Sequence, residues 1–192
     1  EVVINTNKNG HEIELIKDFR FANKNADEIT KEVEKMFVSG QNRLVAVPTK
    51  QNEHANVLLT GDDVPRFFDY FASHTNASSK FMGIAKAEIG QKITGDDADD
   101  LTIIAKPILE GSTKNNVFDG DGNPVKEKVI FEKGVCQSYW GTVQHAHYIG
   151  LEDTTSINNF VISGGSLTLD EMKICAEFND GTIVEEREKI KD

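Results

Sequence analysis

Cysteine is scarce in this sequence, and the cysteines present form no recognisable motif. Cys136 and Cys175 are the only two in 192 residues. Their spacing provides no C-x-x-C pair, which excludes a zinc ribbon and a thioredoxin-type redox site. Isolated cysteines of this kind are typical of reduced structural thiols in the cytoplasm. We therefore predict a cytoplasmic protein whose thiols serve packing.

Long apolar runs and an excess of basic residues are also absent. No stretch approaches the roughly 18 apolar residues of a membrane span, and the opening EVVINTNKNG does not follow a secretory pattern. The 32 acidic residues outnumber the 21 basic ones, which gives a formal net charge of −11. A chain of this charge repels the phosphate backbone of nucleic acids. We predict neither a membrane span nor a nucleic-acid partner.

Several catalytic signatures are missing as well. The sequence contains neither the G-x-S-x-G nucleophile elbow nor the G-x-x-x-x-G-K phosphate loop. It also contains no H-E-x-x-H or H-E-x-x-x-H. His11-Glu12 begins such a pattern, but Leu15 and Ile16 occupy the places of the second histidine. This excludes, for this chain alone, a zinc peptidase built on two histidines of one helix.

The amino-terminal residues predict a β-hairpin followed by a helix. Residues 1–5 and 11–16 alternate in polarity around an Asn-Lys-Asn-Gly turn. Asn25 is then well placed to cap a helix, with Glu28 completing a capping box. Gly40 is expected to end that helix.

The next segments predict strands around a second helix. Short apolar runs at 44–47, 57–59 and 101–105 are candidates for buried strands. A helix is expected to begin at Asp62 or Asp63 and to turn an apolar stripe towards the core, formed by Val64, Phe67, Phe68 and Phe71.

Turn chemistry dominates the segment from Val117 to Gly150. The tight turn 119–124 precedes two predicted strands, 125–131 and 135–140, and a short helix over 141–150. Beyond them, a strand is predicted at 158–162 and a helix start at 166–171.

Three clusters of metal-binding residue types in this sequence also have plain structural interpretations. Asp119, Asp121 and Asn123 match the first positions of a calcium-binding loop. Pro124 and Ile130 stand where that loop needs its glycine and its glutamate, so a hairpin turn is favoured.

The run of four aspartates within residues 95–100 is interpreted as a solvated loop rather than a cation site. A zinc site built from His145, His147 and Cys136, with His74 as a further ligand, is the other alternative. It is disfavoured because residues two apart on a helix point about 200° apart.

Six segments between Val57 and Glu171 occur in a characteristic order. They are Val57-Leu58-Leu59, the amphipathic stretch from Phe81 to Gly90, the Asp119-Gly120-Asp121-Gly122-Asn123-Pro124 turn, the Gly134 to Trp140 strand, Ala146-His147-Tyr148-Ile149-Gly150, and the passage from Asn159 to Glu171. This ordered set resembles the TldD/PmbA family, peptidase-related proteins also known as modulators of DNA gyrase. The positions that match the family's motifs most clearly are Asp119, Asp121, Gly122, Gly134, Gly150 and Gly165.

The resemblance implies a division of labour between two subunits. In the family, one subunit type carries H-E-x-x-x-H on the helix after the first apolar strand, and its partner lacks this motif. Here Asp69-Tyr70-Phe71-Ala72-Ser73-His74 stands in that place, and only His74 fits. The resemblance therefore implies the metal-free PmbA or TldE type, with no catalytic residue and no cofactor in this chain. It also implies a heterodimer with a TldD-like subunit that holds zinc.

The pattern as a whole predicts an α+β fold with a largely antiparallel curved sheet and two or three packed helices. We expect residues 1–192 to form a single carboxy-terminal domain from a longer chain, with a weaker match over 1–56 and after Lys173. The leading hypothesis is a non-catalytic part of a TldD/TldE-type peptidase that pairs with extended, unfolded or short peptides. The alternatives are a binding module without peptidase activity and a peptidase with an unrecognised metal site.

Overall fold

A computed structural model of the chain describes residues 1–23, 25–48, 57–61, 63–152 and 154–173. The chain divides into two compact units. We call Glu1–Gly61 with Leu169–Asp192 the hairpin unit, and Asp62–Thr168 the sheet unit. Both combine helices with antiparallel strands, which confirms the predicted α+β class. The single-domain assignment stays a prediction. In the described ranges, no helix has the length and apolar character needed to cross a bilayer.

The hairpin unit begins with the predicted β-hairpin. Strand β1 is Val2–Lys8 and strand β2 is His11–Lys17, paired antiparallel along their whole length. Both turn residues, Asn9 and Gly10, have positive φ, which matches the right-handed twist of a two-stranded ribbon. One face of the hairpin packs on helix α1, Ala26–Arg43, through a small core of Ile4, Leu15 and Met36.

Helix α1 starts where predicted and ends later than predicted. The Asn25 side chain accepts a hydrogen bond from the Glu28 backbone N–H at 3.2 Å, which confirms the cap. Gly40 does not end the helix, which continues to Arg43. A Cβ on Gly40 would lie 2.7 Å from Cγ2 of Thr6. This glycine therefore allows α1 to approach the hairpin closely and is not a C-cap.

The prediction of strands at 44–47 and 57–59 is wrong. After α1, the backbone N–H groups of Val45 and Ala46 donate to carbonyls within the last helical turn, so the chain turns instead of extending. Val47 is 80% exposed and Val57 is 66% exposed. The apolar runs predicted burial, but an apolar run becomes a strand only where a neighbouring strand pairs with it. No such strand lies beside them in the described ranges.

A carboxylate between two lysines makes the hairpin unit sensitive to acid. Lys17 donates to Glu32 at 2.7 Å and Lys35 donates to it at 2.6 Å. The two hydrogen bonds lower the pKa of Glu32 to about 2, and the bond from Lys17 makes the larger contribution. Because the folded pKa lies below the unfolded value, the stabilisation is present at neutral pH and is lost as pH falls from about 4.5 towards 2. We expect NMR titration of the Glu32 carboxyl carbon to show its midpoint near 2, and Glu32→Gln to remove this part of the acid sensitivity. A midpoint near 4.5 would contradict the two-lysine arrangement.

In the part of the sheet unit that the structure describes, three helices accompany a four-stranded antiparallel sheet. The helices are α2 (Asp63–His74), α3 (Ala77–Phe81) and α4 (Val143–Tyr148). The strands are β3 (Ile103–Lys106), β4 (Lys128–Glu132), β5 (Val135–Cys136) and β6 (Asn159–Ile162), in the spatial order β5-β4-β3-β6. The predicted strands at 101–105 and 158–162, the helix over 141–150 and the helix start before residue 171 are confirmed.

The hairpin of β4 and β5 is shorter than predicted. The predicted strand 125–131 begins only at Lys128, because the Val125 N–H donates to the Val117 carbonyl across the preceding turn. The predicted strand 135–140 ends at Cys136, although the Gln137 N–H still donates to the Ile130 carbonyl of β4 at 2.8 Å.

The core of the sheet unit lies between the sheet and α2. Its members are Ala87, Leu101, Ile103, Ala105, Val125, Ile130, Phe131, Cys136 and Ile157. Phe68 and Phe71 of α2 pack against this core. Phe67 of the predicted stripe is 52% exposed, so only one side of α2 faces the sheet.

Candidate functional site

Helix α2 holds the residues that stand in the place of the metal motif. Asp69 and Tyr70 are exposed on it, and His74 is its last residue. The ring of His74 packs edge-on against the ring of Tyr70 at 4.3 Å between centroids. Its Nδ1 atom is buried and makes no hydrogen bond among the described residues. The imidazole thus has one shielded nitrogen and a packing role at the end of the helix.

The residues of α2 do not fit a zinc ion. Asp69, in the place of the first histidine ligand, is exposed to solvent, whereas the Nδ1 atom of His74 is buried. Tyr70 stands where a glutamate base would be needed, and a phenol cannot replace that carboxylate as a base at neutral pH. Throughout the ranges that the structure describes, no three His, Cys, Asp or Glu side chains converge as metal ligands.

The structure separates the residues of the alternative zinc site. Cys136 lies in the interior of the sheet, fully buried. His145 Nδ1 lies 2.7 Å from the Thr142 hydroxyl, which also caps α4. His147 is exposed on the same helix. These three residues therefore lie in different surroundings and do not converge on a common metal site.

Burial makes the Cys136 thiol chemically inert. Desolvation raises its pKa to about 11, so the reactive thiolate is rare at neutral pH. In a Cys175→Ser background, we expect Cys136 to resist a thiol-specific disulfide reagent in the folded chain and to react fully after unfolding in urea. The spectrophotometric time course measures this. Prompt reaction of the folded chain would contradict the buried position. Cys175 itself lies outside the described residues.

Trp140, in the segment after β5, holds the carboxyl end of α2 through hydrogen bonds. Its backbone N–H donates to the Thr75 carbonyl at 3.1 Å, and its carbonyl accepts from the Ala77 N–H at 2.7 Å. Its indole Nε1 donates to the Ala72 carbonyl at 2.8 Å. Three bonds from one residue thus hold the segment that follows the metal-motif position. Neither the spacing nor the residue types of the sequence indicate this role.

The turn at 119–124 is held by its own carboxylate. Asp119 accepts hydrogen bonds from the backbone N–H groups of Asp121 at 3.0 Å and Asn123 at 2.9 Å. Burial acts to raise the pKa of Asp119, but bonds from Asn123, Asp121 and Ser156 outweigh it and hold that pKa below its usual value. The carboxylate oxygens organise the turn, which agrees with the turn interpretation over the calcium loop.

The other family-motif positions also have backbone roles. Gly122, Gly134 and Gly150 adopt positive φ angles of 82°, 78° and 77°. At Gly165, an added Cβ would overlap the Asp99 carboxylate. These positions shape turns and do not supply reactive groups.

Strand β6 forms one edge of the four-stranded sheet. The Ser163 N–H donates to the Thr102 carbonyl at 2.9 Å, so these two residues form a hydrogen-bonded pair. Bonded and non-bonded pairs alternate along an antiparallel ladder, so the N–H and C=O groups of Phe160 and Ile162 point away from β3. Among the described residues, no strand pairs with this side.

A polar network fixes the first residue of this edge. Asn159 is only 4% exposed. Its Oδ1 accepts from the Ser112 hydroxyl at 2.5 Å, and its Nδ2 donates to the Asn115 side chain at 3.0 Å. Asn116 Nδ2 also donates to the Ser156 carbonyl at 3.2 Å. The asparagines of the polar segment 110–116 are the sequence signal for this network.

Comparisons with known proteins place this geometry in a family. The family model of the PmbA/TldA metallopeptidase C-terminal domain matches residues 52–190. No curated protein matches the chain.

Solved structures share the fold. A candidate modulator of DNA gyrase from Bacteroides thetaiotaomicron is 22% identical with a TM-score of 0.60, over 72% of this chain and 32% of that one. TldE from Thermococcus kodakarensis is 19% identical with a TM-score of 0.61, over 76% and 36%. A candidate modulator of a DNA gyrase from Thermotoga maritima is 19% identical with a TM-score of 0.57, over 85% and 45%.

The matches thus span less than half of each solved relative. At these identities, the structural neighbours show the fold alone, whereas the family model covers most of the sequence. The chain belongs to the PmbA/TldD family of metallopeptidase-related proteins and carries that family's C-terminal domain.

Proposed function

We propose that this chain is a non-catalytic part of a TldD/TldE-type metallopeptidase assembly and that it holds extended peptide substrates for a metal-bearing partner. The partner is a TldD-like subunit with zinc, the substrates are unfolded or short peptides, and the assembly is a dimer. The proposed setting is the cytoplasm, which suits the free thiol of Cys136.

One observation carries the non-catalytic role. Helix α2 has Asp69, Tyr70 and His74 where the metal-bearing subunit type has its ligands and base. His74 packs on Tyr70 with a buried Nδ1, and Asp69 stands exposed in the place of the first histidine. A zinc-bound water therefore has neither a ligand set nor a general base here. The chemistry is assigned to the partner for that reason.

The edge of β6 supports the peptide-holding role. Its outward N–H and C=O groups have the spacing of a β-strand, which is the pattern an extended peptide completes by β-augmentation. Backbone pairing of this kind depends little on side chains, so it suits substrates of varied sequence. The same edge also supports a second candidate, a peptide-binding module that has no peptidase partner.

Reconstitution separates these two candidates. The purified chain is mixed with a metal-bearing TldD-like family member, and hydrolysis of a fluorogenic unfolded peptide is followed. We expect hydrolysis to rise well above that of the metal-bearing protein alone and both proteins to coelute in size-exclusion chromatography. Coelution and stimulation with this partner would favour the assembly. Peptide binding without either effect would favour the binding module.

A substitution on the strand edge tests the holding role in the same assay. Ile162→Pro removes an N–H that points outward and leaves the bonds to β3 in place. We expect stimulation to fall sharply while coelution persists. The control Val161→Pro removes an N–H on the β3 side, so it is expected to lower the melting temperature instead. Full stimulation by a folded Ile162→Pro chain would contradict peptide holding by β6.

A further inference from the structure

The two ends of β6 differ in charge. Beyond its carboxyl end, the Ser166 N–H donates to an Asp99 carboxylate oxygen at 2.9 Å. The acidic loop, which we define as residues 96–100, therefore lies beside this end of the strand. A shallow cavity of about 460 Å³ separates the two segments. Its lining residues are Ala98, Asp99, Asp100, Gly164, Gly165 and Ser166, none of which is basic.

Lysines mark the amino end of β6. Lys106 is the direct partner of Asn159 across the β3–β6 ladder. Lys114 is exposed, and its backbone N–H donates to the Ser112 hydroxyl, which itself bonds to Asn159. Lys106 also lies 3.6 Å from Glu127, in a pair that solvent screens. Because Glu127 lies on the β4 side of β3, Lys114 is the lysine that marks the amino end of the open edge, and the acidic loop lies at its carboxyl end.

We infer that the β6 edge selects short peptides by their direction and charge, taking them antiparallel with a basic amino end against the acidic loop and the carboxylate end towards Lys114. This inference rests on the proposed function, because it assumes that β6 pairs with a peptide. An antiparallel peptide places its α-amino group beside the carboxyl end of β6. Peptide termini and strand charges are then complementary at both ends.

The size of the edge sets the length of the peptide. The four residues of β6 span about 13 Å at about 3.3 Å per residue. A peptide of about six residues therefore covers the strand and reaches the charged groups at both ends. In a long unfolded chain the termini are distant, so only internal lysines or arginines can meet the acidic loop. Short basic peptides are accordingly the preferred ligands.

Calorimetric titration of the full 192-residue chain with three synthetic hexapeptides tests the inference. The probes are Lys-Lys-Val-Thr-Val-Thr, its reversed sequence, and a version with two glutamates in place of the lysines. At low salt, we expect the first to bind about tenfold more tightly than the reversed peptide and the glutamate version to bind weakest. High salt is expected to shrink these differences. Equal affinities at low salt would overturn the inference.

Charge substitutions in the acidic loop provide the matched test. The triple variant Asp96→Asn, Asp97→Asn, Asp100→Asn keeps Asp99, which holds Ser166. We expect it to lose the preference for the basic peptide with an unchanged melting temperature. The control variant neutralises three other exposed carboxylates of the sheet unit, namely Asp69, Asp121 and Glu152. An equal loss of preference in this control would assign the effect to net charge and overturn the role of the loop.

Backbone methylation of the peptide separates this inference from the proposed function. N-methylation at alternate residues blocks pairing on one edge of the peptide while its charge stays the same. If methylation abolishes binding and charge order has no effect, the directional inference falls and peptide holding stands. If the affinity stays unchanged when each edge of the peptide is methylated in turn, or if no peptide binds, both fall. Loss of affinity on methylation together with the charge preference supports both.

Discussion

Replacing Phe131 with alanine is expected to lower the free energy of unfolding of the sheet unit by about 3–5 kcal/mol. Phe131 is fully buried in β4 and meets Phe71 of α2 edge-to-face at 6.2 Å between ring centroids. The substitution removes the ring from the contact between helix and sheet and leaves a cavity that the surrounding strands cannot close. Urea unfolding followed by the fluorescence of Trp140, the only tryptophan of the chain, measures the loss.

A conservative substitution at the same position provides the control. Phe131→Leu keeps most of the apolar volume, so we expect a loss of only about 1–2 kcal/mol. If Phe131→Ala lowers the free energy of unfolding by less than about 1 kcal/mol, the packing of α2 on β4 is contradicted.

Gly134→Ala is expected to cost about 2–4 kcal/mol, because it combines backbone strain with a steric overlap. Gly134 has φ of 78°, a left-handed conformation that side chains disfavour. An added Cβ would also overlap the side chain of Thr94. The backbone of this glycine cannot shift freely, since its N–H donates to Leu101 at 2.7 Å and its carbonyl accepts from Ile93 at 2.8 Å.

The double variant Thr94→Ala with Gly134→Ala separates the two causes. Thr94 Oγ1 is buried and makes no hydrogen bond among the described residues, so Thr94→Ala alone is expected to cost little. In the double variant the overlap is gone and only the strain of about 1–2 kcal/mol remains. Equal losses in the single Gly134→Ala and double variants would show that Thr94 does not crowd Gly134.

Local chemistry was readable from the sequence wherever neighbouring residues decide the structure. The pair Asn25 and Glu28 correctly predicted the start of α1, and the Asn-Gly turn correctly predicted the first hairpin. Gly134 was likewise expected between two strands, and it has the positive φ that such a turn requires. In each case, the side chain or the free φ angle acts on its own backbone.

The pairing of strands that are far apart in the chain could not be predicted from the sequence in the same way. The runs 44–47 and 57–59 had strand composition but no partner strand among the described residues, and β5 ends at Cys136 although β4 continues beyond it to Lys128. Gly40 had the sequence signature of a cap, but contact with Thr6 on another element is what requires it. Strand order and register depend on segments far apart in the chain, which a local pattern does not contain.

The candidate site shows the same limit. The resemblance located Asp69 and His74, but the contact of His74 with Tyr70 and the three bonds of Trp140 emerged only from the structure. The predicted strand at 158–162 was confirmed as β6, but nothing in its sequence indicated that it lies at an edge or which charges flank it. Function was therefore suggested by family motifs, whereas the binding surface followed from topology.

Zinc content and peptide hydrolysis of the isolated chain test the central claim most directly. The purified chain is dialysed against excess zinc and then against zinc-free buffer, and bound metal and hydrolysis of an unfolded peptide are measured. We expect well below one zinc per chain and no hydrolysis, because α2 offers neither a converging ligand set nor a base. Stoichiometric zinc together with hydrolysis that His74→Ala abolishes would contradict the non-catalytic role.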